Sequence, residues 1–450
     1  MELKNIQRVY FIGIGGIGMS AIARYFLSRN CTVFGYDKTC TNLTIALEVE
    51  GVSVTYDDDG TTIPADFLLN SNKNLIVYTP AIPGNSEIIG CFKENGIKMW
   101  KRSEVLGIIS KGQFCIAVAG THGKTTTSSI IAHILTDTGY GCTAFLGGIA
   151  TNYNSNFLIG DNNVVVVEAD EYDRSFLTLH PDIAVITSMD ADHLDIYGDA
   201  AQLNESFRLF ASQLKSDGTL FVKEGLPIDG INYSAGGNSP VRGDNIRIEG
   251  SNFLFDYADD KVNIDGIQLM LPGRHNVENT VAAIAVAVGI GIDSDKIKQA
   301  ISNFKGVKRR FEYIVKTDQH IYIDDYAHHP KELEACFHAV RQLYPGRKLT
   351  VIFQPHLFSR TKDFADEFAA VLGTVDELML LEIYPARELP LPGVDAQFLL
   401  GKIKLEKKEI FEKEAVLEKI LLNKPALLLT VGAGDIDTLI QPLKTLLTDA

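Results

Sequence analysis

The residues with the most evident chemistry are Gly120-Thr121-His122-Gly123-Lys124-Thr125-Thr126. An apolar run, Phe114 to Ala119, leads in, and Ser128 to Leu135 lead out, so the order reads as strand, glycine loop, helix. Such a loop turns backbone N–H groups onto phosphate oxygens at a helix N-terminus, where the helix dipole favours negative charge. Lys124 would bring a full positive charge to the β- and γ-phosphates, and the Thr125 hydroxyl would ligate Mg²⁺. The full pattern wants a glycine where Val118 stands, so this is a shortened form. The competing reading is an ordinary βα turn with a lysine near a helix start.

A second set of candidates follows. Val164 to Val167 lead into Glu168-Ala169-Asp170-Glu171. Four consecutive valines suit a strand buried on both faces, and the acids fall at its C-terminal end. Glu168 would take the place of the usual metal-site aspartate. Ile183 to Thr187 read as another strand, followed by Asp190-Ala191-Asp192-His193. His193 stands 25 residues after Glu168. A neutral imidazole can join oxygen ligands on a divalent ion, although Mg²⁺ prefers oxygen. The acids could equally be a solvated turn, and the histidine a structural one.

Near the N-terminus, Gly13, Gly15 and Gly18 fit GxGxxG, with Gly16 and Ile17 inside the pattern, after the apolar run Val9 to Ile12. A second strand, Cys31 to Tyr36, ends at Asp37, where a Rossmann domain places its ribose-binding acid. On the residues alone, NAD and a UDP-sugar fit equally, since both present a pyrophosphate. Leu75 to Tyr78 precede Thr79-Pro80-Ala81-Ile82-Pro83, a loop at the strand edge that lines ligand crevices in open α/β sheets.

Further along, Leu271 to Asn279 open an alanine-rich helix, where His275, Asn276 and Asn279 could meet a base or act as caps. Lys308-Arg309-Arg310 read as a hinge carrying cations toward a nucleotide, or as a solvated face. Ile321 to Ile323 lead to Asp324-Asp325-Tyr326-Ala327-His328, and Leu349 to Phe353 lead to Gln354-Pro355-His356-Leu357-Phe358-Ser359-Arg360.

These residues need parallel sheets to position them, because strands alternating with helices put polar residues after the strands at one edge. Residues 215–270, richer in Gly, Asn and Asp, read instead as antiparallel strands on the side of a domain. A length of 450 residues suggests about three domains. The net charge of −15 argues against a general nucleic-acid binder. The opening MELKNIQRVYF has no signal-peptide core, and no apolar run approaches ~18 residues, so the chain reads as cytoplasmic with no membrane partner. Six scattered cysteines without a CxxC pair disfavour structural zinc and a disulfide framework.

The ordered set GIGGIGM, GTHGKT, VEADE, DADH, LPGRHNxxN, DDYAHHP and FQPH resembles the Mur ligases of peptidoglycan synthesis, end to end. The resemblance implies an α/β protein of three domains: a Rossmann-like UDP-sugar domain (1–108), a central P-loop ATPase-like domain (109–310) and a C-terminal Rossmann-like amino-acid domain (311–450). It favours the branch that joins L-alanine to UDP-N-acetylmuramate with ATP. Gly13, Gly15, Gly16, Ile17, Gly18, Asp37, Thr79 and Ala81 would then hold the UDP-sugar. Gly120, Thr121, His122, Gly123, Lys124, Thr125 and Thr126 would hold ATP, with Asn279 and His275 at the adenine and Arg310 and Asp325 at the phosphates and ribose. Thr125 and Glu168 would hold one Mg²⁺ and His193 a second, and Lys124, Glu168 and His193 would be the catalytic set. Tyr326, His328, His356 and Arg360 would line the amino-acid pocket, and closure of the third domain would exclude water from an acyl phosphate.

Two departures from the family pattern stand out. Leu357 occupies a position where some relatives carry arginine, and no lysine lies between Asp199 and Phe207 to be carbamylated. The rival branch recycles a preformed L-Ala-γ-D-Glu-diaminopimelate tripeptide onto the same sugar, but Arg174-Ser175-Phe176-Leu177 suit the alanine-adding branch better. Folylpolyglutamate synthetase would not need the first glycine loop. A nicotinamide oxidoreductase would leave GTHGKT without a purpose, and a nucleotide-binding regulator would keep the sites without ligation. Monomer and homodimer both remain open.

Overall fold

The computed structural model describes residues 2–69, 71–190, 197, 199–250, 252–386 and 388–448. The chain divides into two compact units, one of Met1–Asp244, Asp256–Ile267 and Glu278–Phe304, the other of Asn245–Phe255, Gln268–Val277 and Lys305–Ala450. Among the described residues, no helix is long and apolar enough to cross a membrane.

The first sheet has five strands: β1 (Arg8–Ile12), β2 (Thr32–Tyr36), β3 (Ser53–Thr55), β4 (Asn74–Tyr78) and β5 (Met99–Lys101). Their order is β3-β2-β1-β4-β5, all parallel. The chain winds outward in both directions from β1, so the crevice beyond β1 and β4 is the switch point where such sheets bind ligands. The first glycine loop follows β1 and Thr79–Pro83 follow β4.

The second sheet runs β15-β14-β13-β12-β11-β10-β6-β9-β7-β8. Its strands are β6 (Phe114–Ala119), β7 (Thr143–Ala150), β8 (Ser155–Leu158), β9 (Val164–Glu168), β10 (Ile183–Ile186), β11 (Thr219–Lys223), β12 (Ile231–Ala235), β13 (Val241–Glu249), β14 (Asn252–Ala258) and β15 (Asn263–Leu269). β6 lies between β10 and β9, parallel to both, and the valines of β9 are buried. Three neighbouring strands therefore deliver 120–125, 168–171 and 187–190 to one edge. The antiparallel reading of residues 215–270 is corrected for its first part, because β10, β11, β12 and β13 pair in parallel succession. β14 and β15 are neighbours joined by the short turn 259–262, closed by Asp259 N on Val262 O at 3.1 Å, as antiparallel strands are. Between β12 and β13 the chain returns within residues 236–240, through Gly236 and Gly237 at φ +74° and +123°. Backbone at such angles makes a tight reversal that alternation alone does not reveal.

The two sheets share one core. It runs from Val9 and Phe11 through Tyr25 and Phe26 to Phe145, Phe157 and Val165. At its centre a polar knot joins the helix Ile17–Ser28 to β8. The fully buried Asn156 donates to the Ile17 carbonyl (2.5 Å) and Ser20 Oγ (3.0 Å) and accepts from Arg24, which grips Glu50 at 2.7–3.1 Å. Removing one member leaves its partners buried and short of hydrogen bonds. Asn156→Leu should therefore lower the unfolding free energy by about 3 kcal/mol. An unchanged midpoint in chemical denaturation would refute that.

In the second unit, β16 (Glu312–Lys316), β17 (Ile321–Asp325), β18 (Thr350–Phe353), β19 (Glu377–Leu380), β20 (Lys408–Ile410) and β21 (Leu427–Val431) run in the order β16-β17-β21-β18-β19-β20. Only β16 is antiparallel to its neighbour. Residues 326–328, 354–360, 382–384 and 432–435 thus leave the sheet at the same edge.

Candidate active site

The helix Lys124–Asp137 begins where the glycine loop ends, with Gly123 as its N-cap. Its first backbone bond runs from Thr127 N to Gly123 O at 3.0 Å. The amides of Lys124, Thr125 and Thr126 precede that bond, and a helix leaves such first-turn donors for an outside acceptor. The amides of Thr121 and His122 have a different task. They donate to Ser188 O (3.2 Å) and Ser188 Oγ (2.6 Å). Thr187 Oγ1 donates to the carbonyls of Ala119 and His122, and Asp190 N donates to Thr121 Oγ1 at 3.1 Å. The loop is stapled to the end of β10.

Glu168 ends β9 beside this loop. Thr125 Oγ1 lies 3.1 Å from its Oε1, and Gly147 N donates to its Oε2 at 3.0 Å. Lys124 turns to Glu171, with Nζ 2.7 Å from Oε2 and 3.0 Å from Oε1, and donates to Gly120 O at 2.6 Å. Burial alone would lower the lysine's pKa, but Glu171, then Asp170 and Glu168, outweigh it and hold the ammonium charged, well above its ordinary value. Asn279 is buried against the loop, so that a β-carbon on Gly123 would lie 2.7 Å from its Oδ1. His275 is exposed at the start of the helix Arg274–Gly289. Asn276 spends its amide as a local tie to Pro272 O at 2.7 Å. His193 and Asp192 lie outside the described residues.

Among the described residues, no three His, Cys, Asp or Glu side chains converge as a metal cage. The Thr125 hydroxyl and the Glu168 carboxylate are nevertheless the hard oxygen donors that Mg²⁺ takes, with substrate phosphates filling the remaining positions. The donor set fits the ion.

At the first glycine loop, Asp37 Oδ2 accepts from Gly15 N at 2.8 Å, so the acid closes the loop as well as ending β2. Gly16 caps the helix that Ile17 begins. A β-carbon on Gly13 would lie 2.6 Å from Thr79 Cγ2, and one on Gly18 would lie 2.5 Å from Arg102 Nη1. Ala81 N reaches Thr79 Oγ1 at 3.5 Å. The two loops meet at the crevice.

In the second unit, Tyr326, His328, His356 and Tyr384 form a row of rings with centroids 5.4–5.8 Å apart, the last pair stacked. Buried Arg360 sets Nη1 3.4 Å from His356 Nδ1. The guanidinium groups of Arg309 and Arg310 lie 5.1 and 5.2 Å from the Tyr326 ring centroid. Asp325 accepts from Phe311 N (2.7 Å) and Ala327 N (2.8 Å), tying the hinge to β17. Desolvation pushes its carboxyl up to about 6, despite Arg310 and those two amides. A raised acid stabilises the fold by staying protonated. That contribution is complete below the ordinary value of 3.8 and is lost as pH rises through about 6. The stability difference between wild type and Asp325→Asn should therefore move toward the variant by about 3 kcal/mol between pH 4 and 6, then level off. A difference flat across that range would contradict the assignment.

Four participants escaped the sequence reading. Glu171 was visible as an acid three residues after Glu168, but nothing marked it as the partner of Lys124. Ser188, Asn156 and Tyr384 carried no local signal at all.

The geometry agrees with what the chain is similar to. Residues 8–114 match the "Mur ligase family, catalytic domain", 118–287 the "Mur ligase middle domain" and 309–434 the "Mur ligase, glutamate ligase domain". The chain belongs to the Mur ligase family. Among Mur ligases, it is 48% identical over 443 residues to a UDP-N-acetylmuramate–L-alanine ligase of Christiangramia forsetii, covering 98% of each chain. It is 48% identical over 449 residues to the enzyme of the same name from Flavobacterium johnsoniae, covering 100% of each. The crystal structure of a UDP-N-acetylmuramate–alanine ligase from Thermotoga maritima superimposes with a TM-score of 0.82 at 24% identity, covering 98% of each chain. That last likeness establishes the three-part Mur ligase fold.

Proposed function

We propose that the chain joins L-alanine to the carboxylate of UDP-N-acetylmuramate with cleavage of ATP to ADP and phosphate, the first peptide-adding step of peptidoglycan synthesis. What carries this reading is the full-length likeness to relatives bearing that name, over a P-loop whose threonine meets Glu168 and whose lysine meets Glu171. The recycling of a tripeptide is not favoured, because the curated relatives are named for L-alanine. The three parts would divide near residues 108 and 310. The first of these positions lies inside the helix Arg102–Ser110, as expected where the first two sheets share a core.

A carboxylate is a poor electrophile, so its oxygen first takes the γ-phosphoryl group, giving an acyl phosphate and ADP. Positioning and charge neutralisation suffice for that transfer. Lys124 and the first-turn amides supply them, with Gly120 to Thr126 enclosing the phosphates and Asn279 bracing the loop. Thr125 and Glu168 would hold Mg²⁺, with His193 at a second ion, and the bound metal neutralises phosphate charge. The neutral amine of L-alanine then attacks the acyl carbon, phosphate leaves, and the amine loses a proton. Arg360 would pair the incoming α-carboxylate, since its fork matches two oxygens. Tyr326, His328 and His356 would wall the small side chain. The crevice of Gly13, Gly15, Gly16, Ile17, Gly18, Asp37, Thr79 and Ala81 would hold the UDP-sugar by its pyrophosphate, at a helix N-terminus.

The deciding measurement is phosphate release from ATP, Mg²⁺ and UDP-N-acetylmuramate with no amine, with L-alanine, or with L-Ala-γ-D-Glu-meso-diaminopimelate. Release that depends on L-alanine is expected. Release with the tripeptide alone would move the function to the recycling branch.

A further inference from the structure

The ligation chemistry makes no use of Glu171. Its side chain has no exposed surface, and both carboxylate oxygens face Lys124. An ammonium has three N–H donors. Here three acceptors surround it: the two Glu171 oxygens and Gly120 O. A P-loop lysine must nonetheless reach the β- and γ-phosphates, so it has to release at least one of them when nucleotide arrives.

Glu171 is the member of the pair held from outside. Tyr197 Oη donates to its carbonyl at 2.6 Å. On either side of it, Asp170 pairs with Arg102 and Asp173 with Lys101, each at 3.1 Å. The lysine, on a flexible four-carbon stem, is free to swing, whereas the carboxylate stays. Once the ammonium turns to phosphate, a buried negative charge faces the incoming polyanion with weaker compensation, and in a low-dielectric site that repulsion is large.

We propose that Glu171 is the resident counter-ion of Lys124, a positioning residue that ATP must displace, and that this exchange holds down affinity for nucleotide. The inference rests on the ATP reading above and deepens it. While the site is empty, the pair keeps the lysine charged and in place. After the reaction, its return to Glu171 would favour departure of ADP and phosphate.

The test is equilibrium binding of ATP with Mg²⁺ to the full chain by titration calorimetry, without sugar or amine, for wild type, Glu171→Gln and Glu171→Asp. The neutral amide removes both the competitor and the repulsion, so Glu171→Gln should bind ATP at least fivefold tighter and show a lower KM for ATP. Glu171→Asp keeps the charge but retracts it, and should fall between the two. A merely structural Glu171 would leave KM for ATP unchanged or raise it when replaced. If folded Glu171→Gln binds ATP no more tightly than wild type, the inference is overturned while the nucleotide reading stands. Should Glu171→Gln fail to fold, the aspartate variant decides by the same criterion. A wild-type chain that binds no ATP overturns both.

Discussion

Lys124→Ala should lower kcat/KM for ATP at least about a thousandfold and, at the same time, destabilise the chain. The first effect follows from removing the only full charge that the loop 120–126 brings to the phosphates. The second comes from the structure. Glu171 is buried with its oxygens 2.7 and 3.0 Å from the ammonium, and breaking a buried pair by deleting one partner costs about 3–5 kcal/mol, because the other charge stays behind. The two effects separate in the double variant. Lys124→Ala with Glu171→Gln should recover most of the lost unfolding free energy and none of the activity. Phosphate-release assays and urea denaturation on the four proteins of this cycle read both quantities. A single variant as stable as wild type would show that Glu171 tolerates the loss of Lys124, and one that retains activity would end the catalytic assignment of Lys124.

Gly120→Ala should be nearly as damaging, although it changes no charge. Gly120 sits at φ +137°, and a β-carbon there would lie 2.1 Å from Thr187 Oγ1, 2.8 Å from Ser188 N and 3.1 Å from Ser188 O. Two of those atoms are backbone and cannot rotate away. Accommodation would have to prise the loop from the end of β10, breaking the Thr121 and His122 bonds to Ser188 that set its shape. Strain plus clash come to about 3 kcal/mol or more, and ATP binding should weaken over a hundredfold, measured by calorimetry. Gly139→Ala is the control for strain alone. It lies at φ +78° with nothing within 4 Å of the added carbon, so it should cost about 1 kcal/mol and leave ATP binding untouched. Equal effects at the two glycines would sink the steric account.

The site was legible in the sequence wherever its chemistry is local. GTHGKT reads as a phosphate loop because a glycine, a lysine and a hydroxyl follow one another at a helix start, and that order is covalent. Val164 to Val167 announced a buried strand because both faces of β9 are covered. Strand-then-loop order placed Glu168, Asp37, Tyr326 and His356 at sheet edges for the same reason. The antiparallel reading of residues 215–270 went astray at β11, β12 and β13, because alternation reports which face of a strand is buried, not which way its neighbour runs. The glycine reversal at 236–237 then let the chain pair in parallel.

The sequence alone thus determined the family, the parallel-sheet architecture and the glycine loop that carries Lys124 from a strand into a helix, since these depend on spacing along one chain. Only the tertiary structure decided who neutralises that lysine, what staples its loop, and that the first two sheets share a single core through Asn156. Those are contacts across 47, 66 and 132 positions of chain. Helix and strand periodicities carry no information over such distances, because which side chains meet there is settled by packing.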